Sequence, residues 1–416
     1  MNSPLRLGID TGGTYTDAVL VDDSNRVVAA AKRLTSHHDL TLGIDAALGA
    51  LPAESLSATG LVALSTTLST NAVVEGRGAP VAVLLPGYGD LQVEKSGLLN
   101  LFDGELIVTL PGGHDAGGVE REPLDEALAR QAIERCMQRV SAFAVSSLFG
   151  VRNPAHELRL RDLVREICSR PVTCGHELAS DLDAPRRALT AALNARMVPI
   201  IQELILAVQR ILRARRVDAP LMMVKGNGSL INIETALQQP VGTVLSGPAA
   251  SVIGACALSG AGNAIVADMG GTTTDIAVVR DGRPELGSDG VLIGEWKPMV
   301  EAVRVISIGL GGDSELRFSG RGRIEIGPRR VVPLSLLGHL HPSVREALAA
   351  QLERGPNRRD LRFALPLERN EVLLAACSER EREAWQRLLE GPVELERIVA
   401  EDRETARAIA RLQRKG

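Results

Sequence analysis

The chain has 416 residues, 45% apolar and 24% charged, which suits two or three globular domains that each bury a core. Aromatic residues are only 2%, so the cores are expected to be built from Ala, Val, Leu and Ile, and stacking platforms for nucleic-acid bases are scarce. A formal net charge of -4 with acidic and basic residues interspersed argues against nucleic acid or an anionic membrane as partner.

The chain opens with a predicted strand, "LRLGID", a polar Gly/Thr turn, a second strand "DAVLVD" and a third, "RVVAAAKRL". This is an antiparallel meander with a phosphate-sized turn after its first strand. Residues 41 to 51 have helical spacing, and "LVALSTTLSTNAVVEGRG" runs from a short strand into a helix that Gly76 and Gly78 end. "PVAVLLP" reads as a buried strand. After the connector "LPGGHDAGGVEREPLD", residues 125 to 139 read as a helix and "VSAFAVSSLFG" as a strand. A further helix opens at Asn153 as N-cap with Pro154 at its first position. Strand and helix alternate, so this half is α/β. Residues 183 to 216 form one long apolar-periodic helix, expected to bend near Pro199 and to bridge into a second half.

That half is expected to open with the strand "LMMVKGNGS" and to continue through "VLSGPAASVIGACALSG" to "NAIVADMGGTTTDIAVVRDGRPEL". Here strand, Gly/Thr turn and returning strand recur. Aligning Asp10 on Asp268 superposes Gly12 on Gly270, Gly13 on Gly271, Thr14 on Thr272, Thr16 on Thr274 and Asp17 on Asp275 without a gap. Such self-similarity indicates two domains of one fold. "VRVISIGLGGDSELRF" and "RIEIGPRRVVPL" follow, and from about residue 342 the chain reads as solvated amphipathic helices.

A strand that ends in Asp and turns through Gly-Gly presents backbone N–H groups with no Cβ in the way, so a phosphate can come close. Asp10 and Asp268 would sit where a hydrated Mg²⁺ bridges phosphate oxygens, and two such turns would grip one triphosphate. The plainer reading of either turn alone is a hairpin whose Gly and Thr are chosen for φ/ψ; two in-register copies favour the phosphate reading.

The pair "GIDTGGTYTDAVLVD" and "VADMGGTTTDIAVV" resembles the two phosphate loops of the actin, hexokinase and sugar-kinase superfold, whose two ribonuclease-H-like domains close on ATP. With "LSTTLSTNAVVEGRGAP", "NPAHE", "KGNGSL", "LSGPAASVIGA" and "ISIGLGGDS" in that order, the chain resembles the hydantoinase/5-oxoprolinase family over roughly residues 5 to 330. The resemblance implies an α/β fold with a ribonuclease-H-like domain at 1–180, a second at 181–335 and a mainly helical segment at 336–416. It also implies an ATP-dependent hydrolase that opens a cyclic amide by phosphorylating the amide oxygen. A small-molecule kinase, a carboxylase-type activating subunit or a non-catalytic ATP-binding protein of the same fold are the alternatives. The implied partners are a cyclic amide substrate and a second subunit or further copies of the chain.

By the same resemblance Asp10, Thr11, Gly12, Gly13, Thr14 and Thr16 form the first phosphate loop, and Asp268, Gly270, Gly271, Thr272, Thr273 and Thr274 the second. Asp10 and Asp268 are the expected Mg²⁺ and catalytic carboxylates. Gly309, Gly311, Gly312 and Asp313 match a later Gly-rich turn that lies against adenosine, with Asp313 in place of the usual third glycine. Thr66, Thr67, Thr70 and Asn71 match the segment assigned to substrate or γ-phosphate; an ST-turn and helix N-cap would use the same hydroxyls. Gly247 and Pro248 in "SGPAA" stand at a helix start suited to an anion.

His37, His38, His114 and Asp115 lie in predicted loops without metal-ligand spacing and are expected at the surface, whereas His156 and His176 are expected to be structural. Five scattered cysteines (Cys136, Cys168, Cys174, Cys256, Cys377), with no CxxC spacing and no signal peptide, predict reduced thiols in a cytoplasmic protein. No apolar run approaches the roughly 18 to 20 residues of a membrane span.

Overall fold

A computed structural model describes residues 4–36, 39–74, 76, 78–287, 290–319, 323–355, 357, 359–366, 374 and 376–415. The chain divides into two compact units, Met1–Asp268 with Thr274–Ile308, and Met269–Thr273 with Gly309–Gly416.

The first unit starts with the predicted meander, β1 (Leu5–Thr11), β2 (Tyr15–Val21) and β3 (Val27–Leu34), in which Asp10 faces Asp17 and Thr11 faces Thr16. After α1 (Leu40–Gly49) and α2 (Ala53–Ser57), β4 (Thr59–Thr66) joins β1 in parallel and sets Ser65 beside Asp10. The chain then turns into α3 (Leu68–Val74). A second sheet is wholly parallel, in the order β6–β5–β7–β8. Its strands are β5 (Val81–Pro86), β6 (Ile107–Leu110), β7 (Ala142–Val145) and β8 (Val172–Cys174). Its crossovers are α4 (Asp90–Ser96) with α5 (Leu98–Leu101), α6 (Glu126–Cys136) and α7 (Ala155–Cys168). All of β5 is buried, as an unbroken apolar run in a parallel sheet should be. The N-cap of α7 is Pro154, one residue later than expected, and the Asn153 side chain accepts the Ala155 N–H at 3.0 Å just before the helix.

The 31-residue helix α8 (Ala184–Ala214) is the spine of this unit and runs through Pro199. Its first half (Ala188, Ala191, Ala192, Ala195) packs with Val81, Val83, Ala142 and Ala144 of the second sheet. Its second half (Ile201, Ile205, Val208, Leu212) packs with Leu7, Ile9 and Leu64 of the first. By length and composition α8 could cross a membrane, but 67% of its most apolar window is buried inside the fold. Arg196, Glu203 and Arg210 break its apolar run, so no uninterrupted stretch of span length stands in the sequence.

The strand expected to open the second half, β9 (Leu221–Val224), instead pairs in parallel with β4, and β10 (Leu230–Asn232) pairs with β9. The first sheet therefore reads β10–β9–β4–β1–β2–β3. The cause is the buried edge of β4: Val62 and Leu64 lie in the core, and their strand's backbone groups need a partner that water cannot supply. The expected boundary near residue 180 consequently falls inside one compact unit.

After α9 (Ile233–Gln238) and α10 (Ser246–Ser259), a third sheet is built from β11 (Ala264–Met269), β12 (Thr274–Arg280), β13 (Arg283–Pro284) and β16 (Val305–Ile308), with β12 central. β14 (Leu286–Gly287) and β15 (Ala302–Val303) pair beside it. One face of the third sheet packs on α10, with Ala249 and Val252 meeting Ala277, Val279 and Val303.

The second unit contains the hairpin β17 (Ser314–Ser319) and β18 (Arg323–Arg330), then α11 (Leu334–Leu340), α12 (Pro342–Glu353) and the short pair β19 (Phe363–Ala364) and β20 (Val393–Glu394). Helices Glu379–Leu389, Leu395–Glu401 and Arg403–Lys415 follow the predicted helical pattern around Ala384, Leu388, Ile398, Ala408 and Ile409.

Candidate phosphate site

Asp10 lies at the carboxyl end of β1, half-buried. Its Oδ1 accepts a short hydrogen bond from Ser65, the residue directly opposite on β4. Both the N–H and Oγ1 of Thr67 donate to the Thr11 carbonyl, at 3.1 and 3.2 Å, so the turn after β4 is pinned to the turn after β1. Ser246 at the start of α10 accepts from the Thr66 N–H (3.2 Å) and donates to the Thr66 carbonyl (3.1 Å). Thr70 Oγ1 accepts the Leu245 N–H at 3.1 Å, and Ser69 pairs with Thr243 at 2.7 Å. These hydroxyls brace α3 against α10 so that a Cβ placed on Gly247 would lie 3.8 Å from Asp10 Oδ1 and 3.9 Å from Thr67. Asp10, Thr67 and the N-terminus of α10, an anion-favouring helix end, thus converge on one spot.

The members of the first loop take different stations. Gly13 and Thr14 are exposed, and a Cβ on Gly13 would meet open space. The Gly12 N–H bonds the Tyr15 carbonyl at 3.0 Å. Thr11 is fully buried with an unpartnered Oγ1. Thr16 is also buried, shares a hydrogen bond with Thr35 at 3.1 Å and packs against Gly43 of α1, so it braces the loop from behind. Asn71 is exposed on α3. Thr66 uses its Oγ1 to accept the Leu68 N–H at 3.2 Å, the ST-turn role that the sequence allowed.

Burial holds the Asp10 carboxyl above the usual carboxylate range; the Ser65 hydrogen bond opposes this, the nearby Asp17 and Asp268 carboxylates add to it, and Lys32 opposes them. Lys32 itself lies 3.0 Å from both oxygens of Asp17. Asp268 is exposed at the end of its strand.

The second loop repeats the first in its hydrogen bonding: the Gly270 N–H reaches the Thr273 carbonyl at 2.9 Å. The Gly-rich turn clasps this loop, with Gly312 N–H bonded to Gly270 O (3.1 Å) and Asp313 N–H to Gly271 O (2.9 Å). A Cβ on Gly311 would lie 2.4 Å from the Thr272 nitrogen, whereas Gly309 faces open space. Asp313 pairs with Arg330 through Oδ2 at 2.5 Å, which gives the acidic residue a structural reason to stand at this turn. Thr272 is half-buried, Gly271 and Thr273 are exposed, and Thr274 is buried opposite Ile308, just as its counterpart Thr16 is buried.

His114 contradicts its expected surface position. It is 1% exposed, its ring centre lies 4.4 Å from that of His156 with the two planes tilted by 42°, and burial followed by His156 holds its pKa below the ordinary value. The reason is the turn through Gly112 and Gly113, both at positive φ, which folds the connector inward so that Gly113 N–H reaches His156 Nδ1 at 3.0 Å. His156 also bonds Glu120 at 2.8 Å and His176 bonds the buried Glu157 at 2.6 Å, structural placements for both. His37 and His38 lie outside the described residues. Glu157, Cys174 and His176 cluster within 4.8 Å. Burial, then Glu157, pushes the Cys174 thiol up, and it donates to the Glu157 carbonyl, so the cluster is a hydrogen-bonded lock around a buried carboxylate.

Ser65 and Ser246 were not legible as site residues. Their role depends on the parallel β1–β4 register and on a contact between residues 180 positions apart.

Residues 6–168 match the hydantoinase/oxoprolinase N-terminal region, and 187–333 match hydantoinase/oxoprolinase. The chain is 31% identical over 353 residues to caprolactamase subunit alpha of Pseudomonas jessenii, covering 78% of this chain and 50% of that protein. It is 29% identical over 363 residues to the acetophenone carboxylase gamma subunit of Aromatoleum aromaticum, covering 78% and 49%. The solved ATP-dependent caprolactamase of Pseudomonas jessenii superposes with a TM-score of 0.68 at 26% identity, over 98% of this chain and 63% of that one. Nucleotide-free acetone carboxylase, at 23% identity and a TM-score of 0.66 over 84% and 59%, shares the fold. The architecture is that of the actin/hexokinase-like α/β class. The chain spans about half the length of the curated relatives it matches.

Proposed function

This chain is a member of the hydantoinase/oxoprolinase family, and from that membership we propose that it is the nucleotide-handling part of an ATP-dependent enzyme that opens a cyclic amide such as a hydantoin, 5-oxoproline or a related lactam. The convergence of Asp10, Thr67 and the N-terminus of α10 on one spot carries the reading. Relatives include 5-oxoprolinase 1 of Arabidopsis thaliana besides the ATP-dependent caprolactamase, and each of these names implies an amide carbonyl as target.

In this reading the amide oxygen takes the γ-phosphoryl group of ATP: an O–P bond forms, the bond to the β-phosphate oxygen breaks, ADP leaves and the ring N–H proton is released. One water then adds at the ring carbon as the C–N bond breaks, and a second releases phosphate. The chain's own work is placement and charge. The exposed turn at Gly13 and Thr14 admits the phosphate, and the N-terminus of α10 faces its negative charge. Ser65 ties down one oxygen of Asp10 and leaves the other free. Asp10 and Asp268 are hard oxygen donors close enough to feel each other, a set that fits Mg²⁺; the ion would neutralise phosphate oxygens there. Thr67 and Asn71 are proposed for the substrate side.

A second reading, the ketone-activating subunit of a carboxylase, is favoured by the acetophenone and acetone carboxylase relatives and uses the same phosphate site. Those relatives and caprolactamase are named as subunits, so a second subunit is part of the proposal. The test is ATP-dependent phosphate release across a panel of lactams, hydantoins and ketones with bicarbonate. Ring opening that Asp10→Ala and Asp268→Ala abolish supports the first reading; carboxylated product supports the second; absence of ATP binding ends both.

A further inference from the structure

Four polar residues form a single row across the first sheet. Ser65 on β4 stands opposite Asp10 on β1, Asp10 opposite Asp17 on β2, and Asp17 opposite Lys32 on β3. Directly opposed residues share a face of the sheet, so Lys32 lies on the same side as the Asp10 carboxyl. Its ammonium is 3.0 Å from each oxygen of Asp17 and 4.9 Å from the ring centre of Tyr15, whose carbonyl accepts the Gly12 N–H of the first loop. The chain just past β3 is tied to that loop as well: Thr35 Oγ1 donates to the Gly12 carbonyl at 2.9 Å, and the Thr35 N–H to the Thr14 carbonyl at 3.0 Å. Lys32 is therefore held at the lip of the exposed turn.

The second copy of the repeat shows that this position does not need a cation. There Asp275 takes the place of Asp17, and Ser307, opposite it on β16, donates a short hydrogen bond to Asp275. A neutral hydroxyl satisfies the aspartate. In the first copy the position holds a charge instead, beside a carboxyl that already feels Asp17 and Asp268 and against which Lys32 is the opposing charge. A triphosphate adds further negative charge at that spot, and an anion held among carboxylates requires cations. The N-terminus of α10, bonded to Thr66 of β4, stands on the Ser65 side of Asp10; Lys32 stands on the Asp17 side.

We propose that Lys32 is the residue of the first copy that takes hold of the phosphate chain, and that Asp17 is its resting partner, from which bound phosphate draws the ammonium away. The proposal rests on the reading of this site as a triphosphate site. An exposed ion pair is held weakly, and the side chains of Lys32 and Asp17 are 58% and 43% exposed. Ammonium to phosphate is a charge-assisted contact of the stronger kind, and the flexible four-carbon stem of a lysine turns from one partner to the other without moving its strand. Phosphate and Asp17 thus compete for one ammonium, and Asp17 sets how readily the site fills.

Two measurements with MgATP test this. Titration calorimetry is expected to show Lys32→Met binding about tenfold more weakly than the unaltered chain, and Lys32→Arg, which keeps the charge, within about threefold of it. Asp17→Asn, which releases the ammonium and removes a like charge, should bind more tightly, and adding Lys32→Met to it should erase the gain. Lysine acylation followed by mass spectrometry uses the unaltered chain and needs no variant to fold. It should slow about tenfold at Lys32 when MgATP is bound, and not at Lys95, which is exposed in α4. Asp17→Asn binding as weakly as Lys32→Met would make the pair a mere brace and overturn the proposal. Equal affinities of the unaltered chain and Lys32→Met, or acylation of Lys32 at full rate with MgATP bound, would overturn it while leaving the triphosphate reading in place. No binding of MgATP by the unaltered chain would overturn both.

Discussion

Asp10 is the residue on which burial, hydrogen bonding and charge meet, and each makes a separate demand. Its ionised form is disfavoured by burial and by Asp17 and Asp268, so the native state binds its proton more tightly than the unfolded chain does. The sign follows from linkage: this stability is present below the unfolded pKa and is lost as pH rises through the higher native one. Asp10→Asn should therefore raise the melting temperature at pH 7, with the gain vanishing below about pH 4, where the carboxyl is protonated in both states. Scanning calorimetry across pH checks this, and an equal gain at every pH would refute it. Ser65 acts in the opposite direction by donating to the charged form. Ser65→Ala should move the acid limb of ATP-dependent turnover to higher pH, since a hydrogen bond to a charged group is worth about 1.5–3 kcal/mol. Ser65→Thr, which keeps the hydroxyl, should return it.

Among the elements, the second loop owes its shape to the Gly-rich turn. A methyl group at Gly311 would meet the backbone of Gly271 and Thr272 at about 2.5 Å or less, where neither side can yield without moving the loop. Overpacking of this kind costs about 1–3 kcal/mol. Gly311→Ala is expected to weaken ATP binding at least tenfold, whereas Gly355→Ala, outside the turn and facing open space, should bind as wild type. Equal affinities for the two variants would show that the turn does not set the loop. The loops themselves were readable because their defining hydrogen bonds, Gly12 to Tyr15 and Gly270 to Thr273, close within a few residues. The wholly buried β5 was equally plain from its apolar run. What local pattern could not carry was partnership at long range: β9 beside β4, Ser65 beside Asp10, Ser246 at Thr66, and His114 folded inward by two glycines. A strand's composition fixes that it needs a neighbour but not which one.

At the scale of the molecule, α8 makes the two sheets of the first unit interdependent. Small alanines let its first half lie close to β5 and β7, and branched residues in its second half fill the space over β1 and β4. A helix loaded on opposite ends in this way cannot lose one cluster without disturbing the other, because its backbone hydrogen bonds run unbroken between them apart from the donor missing at Pro199. The C-terminal helices are built on a core of their own, around Ala384, Leu388, Ile398, Ala408 and Ile409. Ile205→Ala removes three buried carbons from the second-half cluster and should cost about 2–4 kcal/mol. Its signature in native-state hydrogen exchange is then specific. Amides of β1 and β4 should lose protection, amides of β5 and β7 should lose it by a similar factor although Ile205 belongs to a different cluster, and amides of Arg403–Lys415 should keep theirs. Loss confined to the first sheet would mean that Pro199 uncouples the two halves of α8 and that each sheet stands on its own.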